Sequence, residues 1–322
     1  MKKYIVLLII AFLPSLAMAS SQQLYEQVIL NDAKMAKGSA DKLLLSIDNS
    51  SIEQIKSQFG QLILAWKKVE AAYILGDMDD YYIDTPRYLD IFHGGNEDIR
   101  LQLDRIVNSD DDLSYALYKH SHKTVNALEY LLYNHDLTKP RVKAMAKIMI
   151  RSIVDYLTDI LKTYQQLQSK FTKNQKRASA WILNVLVDGT YKLKEWRIAD
   201  VAGLSYKYKG KPDNRRAEYY LSGNSVAAIL AILNTHKRLI DSPNHHDFGD
   251  VARAHNANSE IDRAISALNE SIIYVQQIQD QELASNKAKK LYESSNRLMR
   301  AYYISLMEKL GFMGKILEAD GD

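Results

Sequence analysis

His122, Asn126, Glu129 and Tyr133 are spaced by four, three and four residues. In a helix that spacing stacks four polar-tipped side chains in one column. The same stretch carries Val125, Leu128, Leu131 and Leu132 at three- and four-residue intervals, the pattern of a helix that buries one side. A column turned inward must be satisfied by hydrogen-bonding partners or an ion, whereas a column turned outward is an ordinary wet surface. Imidazole and carboxylate are ligand types of zinc and iron sites. His122 and Glu129 are therefore the candidate metal ligands, and Asn126 is a weaker donor. Two helical turns separate His122 from Glu129, roughly 10 Å along an axis. One ion would need Asn126 between them, or donors from other helices. The alternative is structural: Glu129 accepts hydrogen bonds from a tyrosine or from an arginine such as Arg87.

Other groups have weaker claims. The stretch 86–95 packs aromatic rings, Arg87, His93 and the pair Gly94-Gly95 into a short span that reads as an ordered loop. Arg87, His93 and Tyr133 join Asn126, Glu129 and His122 as the expected ligand-binding set. His245, His246 and His255 could reach such a site only through tertiary packing. Asp77, Asp79, Asp80 and Asp84 lack the glycine and distal glutamate of a calcium loop. Arg215 and Arg216 beside Glu218 are an anion-binding candidate, though surface pairing is more common. There is no His-Glu-x-x-His motif, no Gly-x-Ser-x-Gly elbow and no phosphate loop.

The elements that must position these residues read as helices throughout. Only 5 prolines and 13 glycines interrupt 322 residues, and the expected fold is all-α, two packed helical bundles that share a plan and so suggest a duplication. Residues 1–19 read as a secretory leader: Lys2 and Lys3, an apolar run from Tyr4 to Leu13, then Ala17-Met18-Ala19. Residues 20–170 form the expected N-terminal bundle and 171–322 the C-terminal one. In the first, Ser51 and Gln54 form a capping box. The helix it opens carries Ile55, Phe59, Leu62, Ile63, Trp66 and Val69, and runs to about Leu75. Lys139-Pro140 opens a long helix to about Gln168, with Val142, Met145, Met149, Ile153, Leu157 and Ile160 on one face. In the second, Trp181 marks a comparable helix. Later helices are expected from about 251 or 256 to 281, and from 286 to 317. No stretch after the leader is long and apolar enough to span a membrane.

Composition narrows the functional classes. With no cysteine there is no disulfide, thiolate ligand, thiol nucleophile or lipidated leader. The formal charge of +3, less the two leader lysines, is +1, which argues against nucleic acid as a partner. Twenty-one tyrosines against 6 phenylalanines suit helix interfaces with wet edges.

The register Thr124-Val125-Asn126-Ala127-Leu128-Glu129-Tyr130-Leu131-Leu132 resembles the central signature of the imelysin family, the peptidase M75 group. That signature reads Gly-x-His-x-x-Glu, then an aromatic residue and two leucines. Ala65-Trp66 with Glu70-Ala71-Ala72-Tyr73, the stretch Pro86 to Asp90, and Arg215 to Ser225 resemble further family segments, in order along most of the mature chain. The resemblance implies two helical bundles and a periplasmic or outer-membrane-associated location. It further implies a role in iron uptake, with other envelope or iron-uptake proteins as partners, or else a metal-dependent peptidase. The peptidase reading depends on a metal held by the signature histidine and glutamate, and the ion that the resemblance implies is iron or zinc. Here Thr124 stands at the glycine position and Asn126 at the histidine position, so a non-catalytic ligand binder is the first reading and a divergent peptidase the second.

Overall fold

The computed structural model describes residues 21–93 and 97–312. The expected leader and the Gly94-Gly95 pair lie outside the described residues. No strand occurs among them, so the fold is all-α as expected. A π-helical segment, Tyr25–Leu30, leads into α1, Asn31–Asn49. The capping box of Ser51 and Gln54 opens α2, Ile52–Glu70, a device worth about 1 kcal/mol. Short helical turns, Leu75–Met78, Asp80–Tyr82 and Thr85–Leu89, follow α2, whereas the sequence over 77–95 reads as irregular. Then follow α3, Ile99–Asn108, α4, Val125–Asn134, and α5, Pro140–Thr172. After Lys173 and Asn174 come α6, Gln175–Lys192, and a π-helical segment, Leu193–Ala199. Next are α7, Ser225–Ile240, α8, Asn258–Val275, and α9, Lys287–Arg300, which continues into a third π-helical segment, Ala301–Leu306.

The stripes read from the sequence are the core. Ile55, Phe59, Leu62, Ile63, Trp66 and Val69 of α2 are all buried, as are the six named residues of α5. In the first half α1 packs on α2 and α5, and α4 on α5; in the second, α8 packs on α7 and α9. The seam between the halves is carried by α2 against α7, and one apolar cluster runs through both. Arg238 of α7 reinforces the seam with two bonds, of 2.9 and 2.7 Å, to the buried carboxylate of Asp32 on α1.

Several boundaries differ from expectation: α2, expected to run to about Leu75, ends at Glu70, and α5, expected to end at about Gln168, runs to Thr172. The helix expected between 251 or 256 and 281 is two helices, parted where Asn256 takes a left-handed φ of 61°. The last helical stretch stops at Leu310, because Gly311 adopts a left-handed C-terminal cap at φ 66°. His122 is not on α4 at all. It sits in a separate 3-10 turn, Ser121–Lys123, because the Thr124 hydroxyl accepts from the Ala127 N–H and starts the helix there.

Candidate functional site

Lys67 is fully buried on the packed face of α2, between Trp66 and Glu70. Its ammonium donates to Asp90 Oδ2 at 2.7 Å, Glu218 Oε1 at 2.6 Å and Glu70 Oε2 at 2.8 Å. Arg197 supplies the second cation. Its Nε donates to Glu218 Oε2 at 2.6 Å, and its Nη2 lies 3.1 and 3.0 Å from the two oxygens of Glu70. Arg197 comes from the π-helical segment after α6, where the wider turn re-aims side chains relative to an α-helix, a device common at functional sites. Asp90 Oδ2 also accepts from Trp66 Nε1 at 2.9 Å and from the Tyr219 hydroxyl. The other Asp90 oxygen, Oδ1, is buried and has no hydrogen-bond partner among the described residues.

Within hydrogen-bond contact three carboxylates meet two cations, and the Lys192 charge acts on Glu70 from nearby. Burial opposes the charge of Lys67, but Asp90, Glu218 and Glu70 outweigh it and hold its pKa above the ordinary value. Burial likewise opposes ionisation of Glu70, yet Arg197 and Lys67 lower its pKa to about 2. The repulsion among the carboxylates is felt at Glu218. Burial pushes its carboxyl up, and the charges of Asp90 and Glu70 add to that against Arg197 and Lys67.

The polar column of α4 holds this network from behind. Asn126 Oδ1 accepts the Ile91 N–H at 2.8 Å, fixing the strand of chain that carries Asp90, Phe92 and His93. One turn on, Glu129 Oε1 accepts from both the N–H and the hydroxyl of Ser222, at 2.9 and 2.6 Å. That bond fixes the turn bearing Glu218 and Tyr219. Tyr219 has a left-handed φ of 59°, a conformation that costs a bulky residue about 1–3 kcal/mol and survives only where its surroundings enforce it. Glu129 itself has its pKa raised to about 7, by burial first and then by the Glu218 and Asp90 charges, against the lowering effect of Ser222. Asn126→Ala strands the Ile91 N–H. It is expected to cost about 1–3 kcal/mol and to speed amide exchange at Ile91, read by urea unfolding and hydrogen exchange. Unchanged exchange at Ile91 would remove Asn126 from this role.

Above the network two hollows open between the halves, of about 270 and 350 Å³, sharing Glu70, Pro86, Arg87, Lys192 and Arg197 in their walls. The larger is lined by Asp90, Phe92, His93 and Trp196. His93 closes one side. Its ring stacks on Trp196 at 4.6 Å, and its Nε2 lies 2.6 Å from Asp200 Oδ2. Arg87 stands at the rim, well exposed, 3.6 Å from Asp84.

A family model, Imelysin (peptidase M75), matches residues 22–301. The chain belongs to the imelysin family. None of the curated proteins compared with it matches. The fold is similar to a crystal structure of an imelysin-like protein from Psychrobacter arcticum 273-4, at 18% identity and a TM-score of 0.76, over 94% of this chain and 98% of that one. It is also similar to a protein of Parabacteroides distasonis ATCC 8503 designated an iron-regulated protein A precursor. There the identity is 13% and the TM-score 0.67, over 91% and 94% of the two chains.

Within this imelysin fold the six residues singled out from sequence divide. Asn126 and Glu129 face inward and brace the network; His93 and Arg87 line the cleft. His122 is buried, but its Nε2 engages Gln102 Oε1 at 2.7 Å. Tyr133 packs on Phe59, with Lys56 over its ring at 4.5 Å. Among the described residues no group of three or more histidines, aspartates and glutamates is placed to hold a metal ion. The donors at the family's signature are otherwise engaged: Thr124 caps the helix and the Asn126 oxygen holds Ile91. Lys67, Glu70, Asp90, Arg197 and Glu218, the residues that make the site, were not singled out as a group. The signal for one of them was present, since Lys67 is a charged residue on the otherwise apolar stripe of α2.

Proposed function

We propose that this imelysin-family protein is a non-catalytic envelope binder that takes a small ligand with a cationic or hydrogen-bond-donating group in the cleft between its halves. The observation that carries the reading is Asp90 Oδ1, a buried carboxylate oxygen in a cleft wall with no hydrogen-bond partner among the described residues, within a network where three carboxylates are bonded to two cations. A buried charge of this kind is costly unless a donor meets it. The aromatic wall of Phe92, His93 and Trp196 adds apolar contact around that point, as ligand pockets do. Export through the leader at 1–19 fits the family resemblance, and among the described residues no helix is long and apolar enough to cross a membrane. A place in iron acquisition is supported by the likeness to a protein designated iron-regulated.

The M75 peptidase reading is the competitor, and one observation favours it: a carboxyl with a pKa of about 7 at Glu129 suits a general base. Thermal shift and calorimetry with ferric citrate, zinc ion and spermidine, beside a casein hydrolysis assay, separate the two. Binding is expected for at least one probe in the native protein and at least tenfold weaker binding in Asp90→Asn, with no hydrolysis. Hydrolysis abolished by Glu129→Gln, or no binding of any probe, overturns the proposal.

A further inference from the structure

A third hollow, of about 320 Å³, lies on the C-terminal half between α8 and α9. Its walls are two helical stripes. On α8 these are Arg263, Ser266, Ala267 and Glu270, at i, i+3, i+4 and i+7. On α9 and its π-helical continuation they are Arg297, Arg300, Ala301 and Ser305. Ala267 and Ala301 are buried, so the floor is made of small side chains and the long guanidinium arms stand around it.

The charge is one-sided. Three arginines face one carboxylate, Glu270, which is bound to Arg297. Arg263 reaches Glu260 at 3.1 Å. Arg300, the last residue of α9, is exposed and has no ion pair and no hydrogen bond among the described residues, while Leu298 and Ala301 beside it are buried. Isolated surface arginines are usually no more than a solvated face. Here the concave floor, the two serine hydroxyls and an unengaged planar guanidinium occur at one place. Guanidinium groups converging on a hollow match the oxygens of a phosphoryl group, which accept paired N–H donors. Tyr303 and Ile304, 44% and 48% exposed, lie three and four residues beyond Arg300 in the π-helical segment that follows it.

We propose that the hollow between α8 and α9 is a binding site for a phosphoryl group, with Arg300 and Arg263 as its principal ligands and Glu270 as a built-in competitor for Arg297. The phosphoryl group has two sources, a free phosphate or the headgroup of an anionic lipid, and both are tested on the full mature chain. Inorganic phosphate is titrated by calorimetry at low ionic strength. Phosphatidylglycerol–phosphatidylcholine vesicles are used in a sedimentation assay, with pure phosphatidylcholine vesicles as the neutral arm. Binding is expected in one arm or both, weakening with added salt. Arg300→Ala should weaken it about tenfold. Arg300→Lys should recover part of that, because the charge stays while the fork is lost. Glu270→Gln should tighten binding severalfold by freeing Arg297, a gain that a merely solvated face would not give. Arg300 is exposed and Glu270 partly exposed, and circular dichroism checks that the three variants fold. No binding in either arm, or binding that Arg300→Ala and Glu270→Gln leave unchanged, overturns the proposal.

Discussion

Lys67→Met is expected to destabilise the protein by about 3–5 kcal/mol, the usual result of removing one partner from a buried ion pair. Methionine fills nearly the same volume, so the loss is electrostatic rather than a cavity effect. Without the ammonium, Asp90 keeps only the Trp66 and Tyr219 donors, and Glu218 and Glu70 share Arg197 alone. Buried Asp90 and Glu218 and the part-buried Glu70 are then left with Arg197 as their one hydrogen-bonded cation among those named above. The double variant Lys67→Met with Asp90→Asn should recover part of the loss, because it removes a charge that the single change leaves uncompensated. Two residues in direct contact should couple by more than 0.5 kcal/mol. Urea unfolding of the native protein, both single variants and the pair measures this. A Lys67→Met cost below about 1 kcal/mol, or strict additivity, would show that the network is far less charged than its geometry implies.

Periodicity accounts for what the sequence could reveal. The stripes of α2 and α5 and the Ser51 capping box follow from contacts three or four residues apart, and each is in place. The network is built from a different kind of contact. Lys67 meets Asp90 across 23 residues and Glu218 across 151, distances at which residue spacing carries no information. Local neighbours were misleading at Glu218 for that reason. Arg215 and Arg216 stand beside it in sequence, yet Arg215 pairs with Asp213 and Arg216 donates to backbone carbonyls. The cation that binds Glu218 is Arg197. His122 shows the complementary error. Its spacing fits a continuous column, but spacing does not register that Thr124 caps the helix two residues later and starts a new register. Asn126 and Glu129, which lie inside the helix, face inward as an amphipathic reading allows, and they accept from a backbone N–H and from a serine that lie 35 and 93 residues away in sequence.

Glu129 also sets an expected pH dependence, and its sign is fixed by the direction of the shift. Its carboxyl titrates at about 7 in the folded protein against 4.5 in an unperturbed chain. The folded state therefore holds this proton more tightly. The associated stability is fully present below pH 4.5, falls as pH rises and the unfolded chain ionises first, and is gone above about pH 7. The total is on the order of 3 kcal/mol, at 1.36 kcal/mol for each pKa unit. Glu129→Gln carries no charge at any pH and keeps an oxygen for Ser222. Its stability relative to the native protein should therefore rise by about that amount between pH 4.5 and pH 8, measured by urea unfolding at both values. Parallel pH profiles for the two proteins would place the Glu129 titration elsewhere. The same proton links the site to its ligand. Two of the causes that raise Glu129 are the negative charges of Glu218 and Asp90, so a cationic group docking against Asp90 relieves part of the repulsion and lowers this pKa. Binding near pH 6.5 should then release a fraction of a proton, visible as a binding enthalpy that changes with the ionisation enthalpy of the buffer. Glu129→Gln should abolish that buffer dependence while leaving the Asp90 contact in place.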